Sequence, residues 1–237
     1  MKKFAVFDLD GTLIRWQLYH AVADQLAKLG HFNANDYEAV RMARMNWKKR
    51  DNQDSFKTYE HQLIALVDSA ITHISPTVLI ETSKTVLDEY KDQTYTYTRN
   101  LISKLKQNDY MLFAISASHT ETVELLANYY GFDDFGGSIY EIQNDKFTGK
   151  KQVLKRERKP EYLKELVVKY GLTYKDSIGV GDSESDIAML EMVEQPIAFN
   201  PTKLLFDHAK AAEWKIVVER KNVIYELNSG NGSYILA

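Results

Sequence analysis

Phe4-Ala5-Val6-Phe7-Asp8-Leu9-Asp10-Gly11-Thr12-Leu13 decides how the rest of the chain is read. Four apolar residues run straight into an aspartate. An unbroken apolar run this short reads as a strand buried on both faces, as in a parallel sheet. Asp8 stands at the carboxyl end of that strand, the end at which open α/β sheets bind ligands. Asp10 follows two residues later, and if strand geometry continues the two carboxylates share one side. Gly11 and Thr12 then turn the chain away. Carboxylates held side by side repel each other unless a cation neutralises them. An oxygen-only pair suits Mg²⁺, which keeps several waters and takes one or two carboxylates together with phosphate oxygens. Asp-x-Asp-Gly alone is also an ordinary acidic turn. The buried strand in front of it is what favours a site.

Working outward, the 237 residues suit one large domain or a core with a modest insertion. Apolar residues make up 44% and charged residues 27%, the balance of a soluble globular protein with a sizeable core. A net charge of −3 gives no electrostatic case for nucleic acid or an anionic membrane as partner. With no cysteine, disulfides, thiolate catalysis and Cys-based zinc sites are excluded, which fits a cytoplasmic protein. The apolar run after Lys2 and Lys3 is too short for a signal peptide, and none is long enough to span a membrane. Oligomeric state leaves no mark on the sequence.

After Thr12 the pattern is helical. Trp16, Leu18, Tyr19, Val22, Ala23, Leu26 and Leu29 recur at three- and four-residue spacings, and Gly30 ends the run. Asn33 to Asp36 caps a second helix reaching about Trp47, followed by a polar connector from Lys48 to Asp54. Asp54 or Ser55 caps a third helix through Tyr59, Leu63, Leu66 and Val67, and Pro76 opens a fourth. No strand pattern intervenes before Tyr95. The first strand is therefore followed by an all-helical insertion of roughly eighty residues, far beyond a loop. Strands and helices then alternate: a helix from Thr98 to Gln107, a strand Met111–Ile115, and a helix Thr120–Tyr130 closed by Gly131. One or two short strands lie within Gly136–Phe147, turning near Asn144-Asp145. A helix Pro160–Tyr170, a strand Ser177–Gly181, a helix Ser185–Val193 and a strand Ile197–Phe199 follow. Ile216–Val218 and Val223–Tyr225 suit edge strands, and Asn228–Ser233 is turn-rich. Such alternation argues an α/β fold, a parallel sheet with helices on both faces.

Two further strands end in polar residues. Ser116 closes Met111–Ile115, where its hydroxyl and the helix N-terminus beyond can hold a phosphate oxygen. Ser118 suits the helix cap, which leaves Ser116 for chemistry, and His119 is assigned no role, a lone histidine near a helix start being more often a surface residue. Asp182 closes Ser177–Gly181, and Asp186 lies four residues on, at a helix start. Together they complete an oxygen site for Mg²⁺. Lys159 sits at the start of a helix, where the dipole disfavours a cation. It gains a reason there if it faces phosphate and carboxylates, although solvated surface is the plainer reading of one lysine among many.

Asp8-Leu9-Asp10-Gly11-Thr12-Leu13, Ser116 in Ile-Ser-Ala-Ser, Lys159, and Gly181-Asp182-Ser183-Glu184-Ser185-Asp186 resemble, in order and spacing, the four motifs of the haloacid dehalogenase (HAD) superfamily. Phe147-Thr148-Gly149 and Phe199-Asn200-Pro201 resemble its phosphoserine-phosphatase-like branch. The likeness covers roughly Met1 to Leu205. It implies a Rossmann-like core, residues 1–14 and 96–237, with an inserted helical type 1 cap, residues 15–95. It also implies a Mg²⁺-dependent phosphomonoesterase for a small phosphorylated metabolite, in which Asp8 is nucleophile and Asp10 general acid/base. Asp8, Asp10 through its carbonyl, Asp182 and Asp186 would hold the metal. Ser116 and Lys159, flanked by Gly11 and Ala117, would hold the phosphate. Gln17, Arg44 and Lys57 are the candidates for reading the leaving group. Gln17 stands where phosphoserine phosphatases carry a Glu for the substrate ammonium, and Lys57 where they carry an Arg for its carboxylate. Gln has no charge to offer, and Lys is not a bidentate clamp, so phosphoserine itself is disfavoured. A phosphomutase, or a non-catalytic phosphate-binding protein, is the alternative on the same fold.

Overall fold

The computed structural model of the chain describes residues 2–49, 52, 54–230 and 233–236. Strand β1, Phe4–Phe7, lies in the middle of a nine-stranded sheet among the described residues. It pairs in parallel with β2, Met111–His119, on one side and β5, Ile178–Gly181, on the other. Beyond β2 come β3, Asp134–Gln143, and β4, Lys146–Gln152. Beyond β5 come β6, Gln195–Phe199, β7, Lys215–Arg220, β8, Val223–Gly230, and β9, Ser233–Leu236. The six strands from β3 to β7 across the sheet are parallel, while β4 and β8 run against them at the two edges and β9 pairs antiparallel with β8. Ala5 and Phe7 enter one apolar core and Phe4 and Val6 another, so both faces of β1 are covered, as the unbroken apolar run requires.

The helices between β1 and β2 are α1, Leu18–Lys28, α2, Ala34–Lys49, α3, Ser55–Ala70, α4, Pro76–Tyr90, and α5, Thr96–Gln107. Asn33 caps α2 by accepting from the N–H groups of Asn35 and Asp36, and Ser75 caps α4 by accepting from Val78. Of the connector after α2, Arg50, Asp51 and Gln53 lie outside the described residues. Helices α1 and α3 share an aromatic-rich core with Val40 of α2, containing Tyr59, Leu63 and Val67 with Trp47 and Phe56 against it. The later helices are α6, Thr120–Tyr130, α7, Arg158–Lys169, α8, Ile187–Leu190, and α9, Lys203–Ala211.

Several boundaries differ from the sequence reading. β2 continues through His119, because His119 pairs with Ser138 of β3 after a bulge that begins at Ile115. The hairpin β3–β4 is longer than its apolar residues suggest, and Asn144 and Asp145 form its turn, both with positive φ. α8 is a single turn, preceded by a loop in which Ser183 bonds Asp186 and Ser185 through its side chain. α9 was not anticipated, although Thr202 accepts from Leu205 N–H as its cap. The Asn228–Ser233 run belongs largely to β8 and the start of β9, with Asn231 and Gly232 outside the described residues.

Candidate active site

The carboxyl ends of β1 and β5 lie side by side. Asp8 continues the line of β1 by donating its N–H to the Val180 carbonyl at 2.9 Å. Lys159 enters from the first turn of α7 and is only 2% exposed. Its ammonium donates to Asp8 Oδ1 at 2.7 Å and to Asp186 Oδ1 at 2.6 Å. A buried cation at a helix N-terminus is explained by these two carboxylates, not by the helix. The other oxygen of Asp186 accepts from the N–H and hydroxyl of Ser183, both at 3.1 Å. Asp8, Asp182 and Asp186 each place an oxygen within 4.8 Å of the other two. Gly11 makes room for this. Its φ is +80°, and a Cβ there would lie 2.3 Å from Asp182 Oδ2.

Three carboxylates face one ammonium in a buried place. Burial pushes the Asp8 carboxyl up to about 8, against the pull of Lys159 and with the help of Asp186 and Asp10. Burial, then Asp8 and Asp186, raise Asp182 well above the ordinary range. Burial disfavours the Lys159 charge, yet Asp186 and Asp8 together outweigh it and hold its pKa above that of a free lysine. The surplus of negative charge and the all-oxygen donor set fit a hard divalent cation such as Mg²⁺.

The strand ends at Phe7, so its alternation does not set the direction of Asp10, whose charge still acts on Asp8. Asp10 Oδ1 accepts from Leu18 N–H at the start of α1. Its Oδ2 accepts from Ser116 Oγ at 2.6 Å and Ser118 Oγ at 2.9 Å. Burial raises its pKa, while Ser116, Leu18 and Ser118 pull it back. Its side chain is thus held by the two serine hydroxyls, within electrostatic reach of the three carboxylates. Ser118 is no helix cap. It bridges Asp10 and the Tyr19 N–H, at 3.2 Å, while His119 takes the cap position without a side-chain bond. The missed signal was the period-two spacing of Ser116 and Ser118, which puts both hydroxyls on one side of a strand. Ser116 is fully buried and also accepts from Ser118 N–H at 2.9 Å.

The remaining candidates separate. Gly11 donates its N–H to Ile14 and Trp16 carbonyls inside the turn, so it provides space and not a phosphate donor. Ala117 lies in the β2 bulge, and its carbonyl accepts from Ser138 at 2.6 Å. Gln17 is the N-cap residue of α1, without a side-chain cap bond. Arg44 is engaged within the helices: it donates to Asp24 at 2.6 Å and lies over Trp16, 4.8 Å from the ring centre. Lys57 reaches the site's edge, 3.8 Å from Glu184 in the loop between Asp182 and Asp186. His119 is not on the surface. It is 1% exposed, stacked on Tyr19 at 4.9 Å and packed against Tyr140. Burial, then Lys151, pushes its pKa down to about 4.

The family model for haloacid dehalogenase-like hydrolases matches residues 5–191, and the chain belongs to that family. Among similar proteins, the histidinol-phosphatase of Neisseria meningitidis is 25% identical over 92% of this chain and 99% of its own length. The phosphoserine phosphatase of Methanocaldococcus jannaschii is 24% identical over 88% of this chain and 90% of its own. That of Archaeoglobus fulgidus is also 24% identical, but the match spans only 55% of its length. A phosphoserine phosphatase structure described as a phospho-aspartyl intermediate analogue superposes with a TM-score of 0.63, at 20% identity, covering 93% of this chain and 94% of that one. A Bordetella pertussis protein of unknown function has the same fold, with a TM-score of 0.73 at 21% identity over 91% of this chain and 98% of its own. Among the described residues no helix is long and apolar enough to cross a membrane.

Proposed function

We propose that this HAD hydrolase is a phosphoric monoester hydrolase that acts on a small phosphorylated metabolite through an aspartyl-phosphate on Asp8. One observation carries the reading: the Lys159 ammonium is buried between Asp8 and Asp186, with Asp182 alongside, at the carboxyl ends of parallel strands. The side-chain oxygens of Asp8, Asp182 and Asp186, with the main-chain carbonyl of Asp10, would hold Mg²⁺. When bound, the ion supplies positive charge against the phosphoryl oxygens. Asp8 Oδ attacks phosphorus, the new O–P bond forms, and the ester O–P bond breaks. Asp10 gives its proton to the departing oxygen and then takes one from the water that displaces phosphate from Asp8. Lys159 and Ser116 hold phosphoryl oxygens. The hydrogen bonds of Asp10 to Leu18, Ser116 and Ser118 fix its side chain near Asp8, which suits a group that must exchange a proton with the leaving oxygen.

Residues 15–95 act as a cap over a core formed by residues 1–14 and 96–237, excluding water and choosing the leaving group. The relatives point to phosphoserine and histidinol phosphate as substrates to try first. Lys57, in its long pair with Glu184, favours the second, because a lysine is not a bidentate clamp for an amino-acid carboxylate. Release of inorganic phosphate from a panel of phosphomonoesters with Mg²⁺, in wild type and Asp8→Asn, tests the proposal. Mg²⁺-dependent turnover that disappears in Asp8→Asn supports it. Folded, metal-loaded protein that hydrolyses no ester overturns it.

A further inference from the structure

Glu219 lies near the end of β7, in the tail beyond the HAD motifs, and its carboxylate is only 1% exposed. A buried acid this far from the site calls for an account. It takes three donors. Arg15 Nη2 donates to Oε1, as does Thr96 N–H at 3.1 Å, and Tyr97 N–H donates to Oε2 at 2.8 Å. Thr96 and Tyr97 open α5, so Glu219 caps that helix from another part of the chain.

The donors come from the two segments that connect α1–α4 to the sheet. Those segments form a short antiparallel ribbon. Ile14 bridges Thr94, Arg15 N–H donates to the Gln93 carbonyl, and Tyr95 N–H donates to the Leu13 carbonyl. Arg15 adds a side-chain bond to the Thr94 carbonyl at 2.7 Å and covers the Tyr95 ring. Three residues past Arg15, Leu18 N–H meets Asp10. On its other side, Glu219 N–H donates to Asn200 Oδ1, and two residues on Thr202 N–H donates to the Asp182 carbonyl at 2.8 Å. One buried carboxylate therefore fastens the hinge ribbon to the loop that backs the metal-site aspartate.

We propose that Glu219 is a positioning residue for the phosphoryl transfer described above: it fixes the hinge ribbon so that the Leu18 N–H stays on Asp10 and the cap closes in register with the Asp182 loop. It touches no reacting atom. The inference rests on the phosphatase reading for its kinetic test and stands apart from it for its structural one.

The experiment compares Glu219→Gln, which keeps the shape and loses the charge, with Arg15→Met, at a half-exposed position, the fold of each variant being checked by urea unfolding. Each variant should lower kcat by about 10-fold, since small misplacements remote from the chemistry carry such costs. KM should stay within about twofold, and the double variant should be no slower than the worse single one, because both break one unit. Hydrogen exchange at the Leu18 amide should quicken in both, with the exchange of β1 unchanged. Wild-type kcat in both folded variants, effects that multiply in the double variant, or an unchanged Leu18 amide would overturn the assignment. If the wild type hydrolyses no ester, the phosphatase reading fails while the Leu18 exchange still decides whether Glu219 holds the hinge.

Discussion

The strand ends and the helical insertion touch through Tyr19–Ser118 and Lys57–Glu184 and are built from opposite materials. At the strand ends, Asp8, Lys159 and Asp186 are nearly inaccessible and joined by bonds of 2.6–2.7 Å. The insertion offers rings instead: Trp16, His20, Trp47, Phe56 and Tyr59 pack on one another. Where α3 crosses to the core it uses partly exposed pairs, Lys57–Glu184 at 3.8 Å, Glu60–Lys155 at 3.7 Å and Asp68–Lys151 at 2.6 Å. Buried charge on rigid parallel strands holds a fixed geometry, and losing one partner is costly. Partly exposed pairs across a helix face are screened and can part and re-form at little cost. The first arrangement suits a reaction centre and the second a moving cover.

Breaking the charged side should have the largest effect. Lys159→Met leaves Asp8 and Asp186 without their shared partner and should cost about 3–5 kcal/mol of stability, read by urea unfolding without Mg²⁺. Phosphate release should fall by about 10²–10³-fold. The buried ring between the two regions gives a pH signature. His119 has a folded pKa of about 4, below the free value of 6.5. It binds fewer protons folded than unfolded, so its contribution is full above pH 6.5 and is lost as the pH falls towards 4. His119→Phe should keep the stack with Tyr19 and flatten that acid-side loss by about 2–3 kcal/mol, measured as the difference between the two unfolding curves across this range.

Asp182→Asn should sharpen the contrast from the other direction. Its ionisation is disfavoured by burial, Asp8 and Asp186, so the neutral variant should melt about 2–4 °C higher than wild type without metal. It should also lose the Mg²⁺ response, which in wild type should reach about 2.7 kcal/mol at a hundred times Kd. The smallest effect belongs to the cap edge. Lys57→Ala should change stability by about 0–1 kcal/mol and alter KM more than kcat for esters with a charged leaving group.

The centre of this fold was legible because burial on both faces leaves one kind of sequence, and Phe4–Phe7 is that kind. Asp8 and Asp182 stood out because each ends a buried strand, whereas Asp186 also read as a helix-start residue and Lys159 as solvated surface until the motifs were taken together. The Asp10 environment was not legible, because where a strand stops depends on its neighbours' hydrogen bonds and not on its own residues. Ser118 lost its expected cap role because β2 continues past a bulge and keeps it and His119 in the sheet, and no local propensity marks where that strand stops. Arg44 and Glu219 show the limit most clearly. Their partners lie 20 and 204 residues away, and a pairing of that kind is written in the fold alone.

The central claim is that Asp8 carries the phosphoryl group. Mass spectrometry of the acid-quenched protein, taken during turnover of its best phosphomonoester with Mg²⁺, tests this most directly. The Asp8 peptide should gain one phosphoryl group, lose it on hydroxylamine treatment, and show none in Asp8→Asn. Phosphate release with the group on another residue, or steady turnover by Asp8→Asn, would contradict the account.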